Sequence, residues 1–205
     1  MNVWDERYRK HDTVYGVMPN AFWASQLALL PEGSVCLPCD GEGRNAVHAA
    51  EQGWSVYAFD ASPEGVRKSA RLAQDRGVSI EVEVADALQV DVTQTFDVVG
   101  LIFAHMPVEL RERFHQRAWS WVKPGGRLIV EGFHKTQLGL GSGGPKGLDM
   151  LYDEGTFVED IAKGSDCARV LWNARCEQIL DEGPFHQGAA VTSQWVIQKM
   201  DDGAL

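Results

Sequence analysis

The residues best placed to do chemistry lie between positions 34 and 62, SVCLPCDGEGRNAVHAAEQGWSVYAFDAS. Ser34–Cys39 is a short apolar run, and Gly41, Glu42 and Gly43 follow it. Asn45–Gly53 carries alanine and valine at helical spacing, and Val56–Phe59 is apolar again and stops at Asp60. That is a strand, a glycine turn, a helix and a second strand with a carboxylate at its end. Glycine lets the backbone lie flush against a ligand and turn through positive φ. The helix opening near Arg44 and Asn45 aims free N–H groups and a partial positive charge over the turn. Asp60, 19 residues beyond Gly41, stands where a carboxylate can accept both hydroxyls of a ribose. The glycines alone would suit a bare β-to-α turn, and Asp60 alone a helix cap. Joined in one frame, they point to an adenosine-type ligand.

The remaining reactive residues define no second centre. Cysteines stand at 36, 39, 167 and 176. Cys36 and Cys39 form a C-x-x-C inside the expected first strand, where alternate side chains diverge. No second pair lies at zinc-finger spacing, so free thiols and no metal are expected. At 205 residues, 44% hydrophobic and 23% charged, the chain has the size and make-up of one globular domain, 1–205. No apolar run approaches the ~18–20 residues of a membrane span, and MNVWDERYRK lacks the apolar core of a signal peptide. A cytoplasmic protein without a membrane partner is the expectation. The net charge of −10 argues against a nucleic-acid groove, which needs a basic surface.

Several elements must position the turn. Residues 1–32 set Trp4, Tyr8 and Tyr15 among charges, then Gly16 and Pro19. Asn20 can cap a helix toward Leu30 whose stripe is Phe22, Trp23, Leu27 and Leu30. This helical cap could fold as a flap over the ligand cleft. Ser62 caps a helix with Pro63 at its first position, ending at Gly77. Ser79–Val84 alternates as a strand, and Phe96–Phe103 is a near-continuous apolar strand of the parallel, doubly covered kind. Pro107 starts a helix, Lys123–Gly126 reads as a turn, and Arg127–Phe133 is a fifth strand. Residues 134–147, HKTQLGLGSGGPKG, form a glycine-rich candidate lid. A helix around Asp153–Ile161 precedes two strands, Arg169–Leu180 and Ala189–Lys199, joined by Asp181–Gly188 as a hairpin. Such alternation closed by a hairpin fits a doubly wound α/β sheet whose last strand is antiparallel. Ligands of such sheets sit beyond the carboxyl ends of the strands. Asp40–Asn45, Asp60, Asp86 and Phe103–His105 all fall at such ends.

From Trp4-Asp5-Glu6-Arg7-Tyr8 to the final hairpin, the chain resembles the class I S-adenosylmethionine-dependent methyltransferases. More narrowly it is similar to the small bacterial tellurite-resistance and thiopurine-type methyltransferases. The W-D-x-x-Y start, the Tyr15-Gly16-x-x-Pro19-Asn20-x-Phe22 segment and the GEGRNA turn carry that likeness. The resemblance implies a Rossmann-like sheet of seven strands in the order 3-2-1-4-5-7-6, strand 7 antiparallel, with helices on both faces. It also implies S-adenosylmethionine as cofactor. Asp40, Gly41 and Gly43 would hold its methionine end, with Arg44 and Asn45 opening the helix beneath. Asp60 would bind the ribose, Ala61 and Ser62 would lie near the adenine, and Asp86 and Ala87 would meet the adenine edge. Phe103 would line the cleft. The family pattern D-L-G-C-G-x-G is met here by Leu37-Pro38-Cys39-Asp40-Gly41-Glu42-Gly43. Leu37 thus replaces the usual first acid, and Cys39 the first glycine. Asp40 is left to act as the carboxylate, and Pro38 belongs at the strand's end.

Methyl transfer from a sulfonium needs no acid for the leaving group, so alignment and electrostatics supply most of the rate. A small-molecule acceptor is expected, and a soft thiol or chalcogen nucleophile would need no base and no obligatory catalytic residue. His105 is the first candidate base, with Glu131 and His134 next. Tyr15, His105 and His134 are the candidate substrate contacts, and Arg44 could orient an anionic acceptor. Two other readings fit parts of the pattern. One is a degenerate methyltransferase module that binds cofactor without catalysis. The other is an NAD-dependent oxidoreductase, disfavoured because no substrate domain remains and no tyrosine is followed four residues on by lysine.

Overall fold

The computed structural model describes residues 3–162 and 168–201, so Cys167 lies outside the described residues. The chain opens with two short helices, α1 (Val3–Lys10) and α2 (Ala21–Leu27). Strand β1 (Ser34–Pro38), helix α3 (Arg44–Glu51) and strand β2 (Ser55–Asp60) follow as the expected unit. Then come α4 (Pro63–Arg76), β3 (Glu81–Val84), β4 (Phe96–Ile102), α5 (Val108–Ser120) and β5 (Val122–Phe133). Helix α6 (Thr156–Ala162) and the long strands β6 (Ala168–Asp181) and β7 (Gln187–Lys199) complete the chain.

All seven strands join one sheet in the order β3-β2-β1-β4-β5-β7-β6. Strands β1 to β5 pair in parallel, while β7 runs antiparallel to both β5 and β6. The sheet is covered on both faces, which is why its central strands are apolar without alternation. On one face Trp23, Leu27, Ala46, Ala49 and Trp54 pack against Val35, Leu37, Val56, Val98 and Ile129. On the other, Phe114, Trp119, Tyr152, Phe157 and Ile161 pack against Cys36, Phe59, Val99, Leu128 and Trp195. Residues 35, 36 and 37 thus alternate between the two cores, as a strand requires.

Two local expectations are corrected. The first strand stops at Pro38, not Cys39, so Pro38 costs no ladder bond and Cys39 lies beyond the strand. Lys123–Gly126 is not a turn between separate elements. It lies within β5, where the pairing with β4 shifts between Phe96–Val122 and Val98–Arg127.

The N-terminal segment is fixed by polar anchors. Asp5 Oδ1 accepts from Ser62 Oγ at 2.9 Å and from the Glu64 N–H at 3.0 Å, clamping α1 to the start of α4. Asn20 caps α2 by accepting from the Trp23 N–H at 2.9 Å. Among the described residues no helix is long and apolar enough to cross a membrane.

Candidate active site

The glycine turn sits at the carboxyl end of β1, next to the point where the sheet order reverses between β1 and β4. Gly43 caps α3 at φ +86, and a Cβ there would stand 2.8 Å from the Ser69 Cα, so neither backbone nor space admits a side chain. Buried Asp60 braces the turn: Oδ2 accepts from the Gly41 N–H at 2.9 Å and Oδ1 from the Ser62 N–H at 2.8 Å. Burial raises its pKa, and those two donors oppose the rise. Ser62 is spent on the helix: its Oγ accepts from the Gly65 N–H and donates to Asp5. Ala61 is exposed beside it. Exposed Asp86 follows β3, where Oδ1 accepts from the Leu88 N–H at 2.8 Å, and Ala87 is buried behind it.

Three carboxylates surround the turn, and their partners differ. Glu42 is neutralised by Lys68 at 2.9 Å and accepts from the Val14 N–H at 2.8 Å. Asp60 has backbone donors only. Asp40 accepts from the Ala46 N–H at 3.2 Å and Asn45 Nδ2 at 3.4 Å, and no described residue forms an ion pair with it. Burial lifts the Asp40 carboxyl from 3.8 to about 7, and Asp60 adds to the rise; the Ala46 and Asn45 donors and the Arg44 charge oppose it. Buried Tyr8 lies over Gly41 and Gly65, and burial together with Asp60, Glu42 and Asp40 pushes its hydroxyl well up. A half-buried carboxylate lacking a basic partner, at the open end of a ribose-type βαβ unit, suits a cationic nucleoside. The residues present therefore fit S-adenosylmethionine.

Two non-glycine residues sit at positive φ, Cys39 at 57° and Phe103 at 55°. They end β1 and β4. Strands β1 and β4 are parallel neighbours, paired at Val35–Val98 and Cys36–Val99, so Asp40 and Phe103 follow the carboxyl ends of adjacent strands. Backbone strain of this kind, of order 1–3 kcal/mol per residue, concentrates at ligand sites.

Beyond Phe103 the structure reassigns several candidates. Both nitrogens of His105 are taken by backbone: Nδ1 lies 2.8 Å from the Met150 carbonyl, and Nε2 accepts from the Phe133 N–H at 2.9 Å. Its ring is stacked between Phe133 and Tyr152, and burial lowers its pKa to about 4. With no free lone pair, His105 holds the segment after β4 rather than serving as a base. His134 Nδ1 accepts from the Thr136 N–H at 3.0 Å and caps a short 3-10 turn. Glu131 is fully engaged as well, accepting from Asn20 Nδ2 (2.6 Å), Gln178 Nε2 (2.8 Å), Thr192 Oγ1 (2.8 Å) and Gln194 Nε2 (2.9 Å). Arg44 turns away from an external anion and pairs with Glu182 at 2.8 Å.

The Glu182 pair brings in residues that the sequence reading passed over. The tip of the β6–β7 hairpin folds back over the cleft, and Glu182 accepts from Arg44 and from Asn20 Nδ2 at 3.1 Å. His186, on the same tip, is buried against Tyr15 (4.4 Å between centroids), Phe103 (4.4 Å) and Phe133 (5.1 Å). Tyr15 thus does face the strand ends. The glycine-rich segment after β5 is docked. Ser142 Oγ bonds the Ala189 carbonyl, and Gln137 bonds both Ser142 and the Val191 N–H. A usable signal for His186 was the coupling of a histidine to an acid four residues earlier within a turn.

The strand order and the antiparallel seventh strand separate this sheet from the 3-2-1-4-5-6 order of dinucleotide-binding domains. It is the class I methyltransferase architecture. Residues 38–126 match the family model for a methyltransferase domain. The chain is 31% identical over 99 residues to 2-heptyl-1-hydroxyquinolin-4(1H)-one methyltransferase of Mycobacteroides abscessus, across 46% of this chain and 44% of that enzyme. Only about half of that curated relative is therefore spanned. Among solved structures, TehB from Haemophilus influenzae superimposes with a TM-score of 0.72 at 12% identity, covering 96% of this chain and 67% of that one. Magnesium protoporphyrin IX methyltransferase from Synechocystis, solved with bound S-adenosylmethionine, gives 0.59 at 18% identity over 84% and 74%. A structure from work on converting a disulfide bond into a thioacetal group during echinomycin biosynthesis gives 0.77 at 15% identity over 98% and 92%. Residues 38–126 thus match a methyltransferase domain, and the described chain has the class I methyltransferase fold.

Proposed function

We propose that the protein transfers a methyl group from S-adenosylmethionine to a small-molecule acceptor held under the N-terminal segment and the β6–β7 hairpin. The observation that carries this reading is Asp60, buried at the end of β2 and hydrogen-bonded to the Gly41 N–H. It ties the ribose-type carboxylate to the turn that would hold the methionine end. Asp60 would take the ribose hydroxyls, Asp40 the ammonium group, and Asp86 with Ala87 the adenine edge. The cofactor supplies a methyl group on a cationic sulfur, an electrophile that needs no acid for departure. The chain's own task is to orient the acceptor, exclude water and, where the acceptor carries a proton, remove it.

A small acceptor is supported by the way the site is covered. Tyr15 and the hairpin close it from one side, and the loop 134–147, which we read as a lid, packs on Phe133. The nucleophile is either a soft thiol or chalcogen, which needs no base, or a protonated oxygen, which does. An N-hydroxyquinolone, the acceptor named for the curated relative, belongs in the first screen with thiols and chalcogen oxyanions.

Calorimetric titration with S-adenosylmethionine, S-adenosylhomocysteine and NAD tests the reading. Both sulfur compounds should bind in the micromolar range, Asp60→Ala should lose them, and NAD should not bind. Binding of NAD alone would sink the proposal. Cofactor binding without turnover of any screened acceptor would favour the non-catalytic module.

A further inference from the structure

Four histidines are buried or half-buried around the carboxyl ends of β4 and β5 and the helix behind them, and three are not placed to serve an acceptor. His105 and His134 are committed as described. His115 Nδ1 bonds Asp160 at 2.7 Å, and its Nε2, without a partner among the described residues, is sealed in the core with Phe157 stacked on the ring at 3.7 Å. His186 differs. Its Nδ1 faces Glu182 Oε2 at 3.3 Å, and among the described residues nothing hydrogen-bonds Nε2. A carboxylate at Nδ1 fixes the proton there and leaves the Nε2 lone pair available. Glu182 is itself held by Arg44 at 2.8 Å and Asn20 at 3.1 Å, so the imidazole rests on an anchored acid.

We propose that His186 is the general base of the acceptor site, with Glu182 as its positioning residue, and that the acceptor is a flat aromatic alcohol. This rests on the methyltransferase reading above. Tyr15, Phe103, Phe133 and His186 pack on one another as an aromatic cluster, and an acceptor laid against it would meet rings, which favours a ring over an aliphatic chain or a bare oxyanion. Phe103 follows β4 and Asp40 follows β1, neighbouring parallel strands, so the cluster lies at the same carboxyl-end side of the sheet as the turn that would hold the methionine end. The loop 134–147 covers the base. A Cβ on Gly143, whose φ is +141, would stand 2.8 Å from His186 Cδ2, the ring atom next to Nε2. In the step, the acceptor O–H gives its proton to Nε2 as the oxygen pair bonds to the methyl carbon. The carbon–sulfur pair leaves on sulfur as a neutral thioether, and the imidazolium later loses the proton to water. Burial lowers the His186 pKa while Glu182 raises it, so the ring is neutral and able to accept a proton at neutral pH. The charged and titratable groups around it are Glu182 on its own turn, Arg44 from α3, Glu131 from β5, Tyr15 before α2 and His105 after β4.

The test compares 2-naphthol with 2-naphthalenethiol, two acceptors of one shape that differ in their need for a base. Turnover is read as S-adenosylhomocysteine release, cofactor affinity by calorimetry, and ionisation of bound 2-naphthol by its near-ultraviolet absorbance in the S-adenosylhomocysteine complex. His186→Gln should lower kcat for 2-naphthol roughly hundredfold or more, leave cofactor affinity unchanged and alter thiol turnover by less than about threefold. Bound 2-naphthol should ionise at lower pH in the natural protein than in His186→Gln. Glu182→Gln should move the rising limb of the kcat profile to lower pH without changing KM for 2-naphthol. An equal loss with both acceptors, a fall in cofactor affinity, turnover of the thiol alone or failure of 2-naphthol to bind would each overturn the assignment. Absence of S-adenosylmethionine binding by the natural protein would instead remove the methyltransferase reading beneath it.

Discussion

Replacing Asp40 by Asn separates what the fold prefers from what the cofactor needs. In the free protein the Asp40 carboxyl is raised from 3.8 to about 7, chiefly by burial. The unfolded chain releases this proton near pH 4, whereas the folded chain holds it until about pH 7. The charge therefore costs nothing below about pH 4, costs progressively more through that window and costs its full amount above about pH 7. A rise of this size corresponds to about 4 kcal/mol. Asp40 still reaches solvent, so about 2 kcal/mol is the expected gain in Asp40→Asn near pH 8, vanishing near pH 4. Urea denaturation of the cofactor-free protein across that range measures it directly. Cofactor affinity should move the other way. Loss of a carboxylate from beside a cation in a half-buried site weakens binding by about 1–2 kcal/mol, roughly five- to thirtyfold. Affinity of the natural protein for S-adenosylmethionine should also rise as pH passes about 7, and that rise should be absent in the variant. A variant that gains no stability over the natural protein near pH 8, or that binds the cofactor as tightly as the natural protein, would refute the electrostatic account of the turn.

Other sites give sharper structural tests. Asn20→Ala removes the cap of α2 and one donor from each of Glu131 and Glu182, and should cost about 2–3 kcal/mol in chemical denaturation. His105→Leu should lower stability by about 1–3 kcal/mol, because the Met150 carbonyl and Phe133 N–H lose their partner, while cofactor affinity by calorimetry stays unchanged. His105 also predicts a pH dependence. Its folded pKa of about 4 lies below the ordinary 6.5, so its contribution is intact above about pH 6.5 and is lost as pH falls toward 4. The acid limb of a stability–pH profile should flatten in His105→Leu.

The βαβ unit was legible because each part depends on local sequence. Apolar runs set β1 and β2, glycines set the turn, and Asp60 follows its strand end by necessity. Pro38 gave its own position away, since a proline can end a central strand but not cross it. The acceptor side was not legible, because its roles depend on segments far apart in sequence. His105 stands where the reading placed it, yet its two partners come from Met150 and from Phe133. His186 falls in a stretch that reads as a plain hairpin turn. It gains meaning only when β7 inserts between β5 and β6 and carries the tip back over Phe103. Position at a strand end can be read from pattern, but whether a lone pair is free cannot.

The same distinction explains why the site carries two unlike electrostatic districts. Around the glycine turn, Asp40 forms no ion pair with a described residue, and a positive ligand would relieve its burial. A carboxylate set against the cofactor's ammonium group attracts ground state and transition state alike, which favours binding over rate. S-adenosylhomocysteine keeps that ammonium group, so the turn should hold the product about as well as the substrate. Rate must therefore be recovered on the acceptor side. There Glu182 is held down to about 2 by His186 and Arg44 although burial works against it, so an anion stays fixed behind His186 across the neutral range. An imidazolium formed during proton transfer would face that fixed charge without reorganisation, the arrangement that favours the transition state over the ground state. Net charge −10 across the chain conceals this division, because selectivity comes from which carboxylate lacks a partner rather than from how many there are.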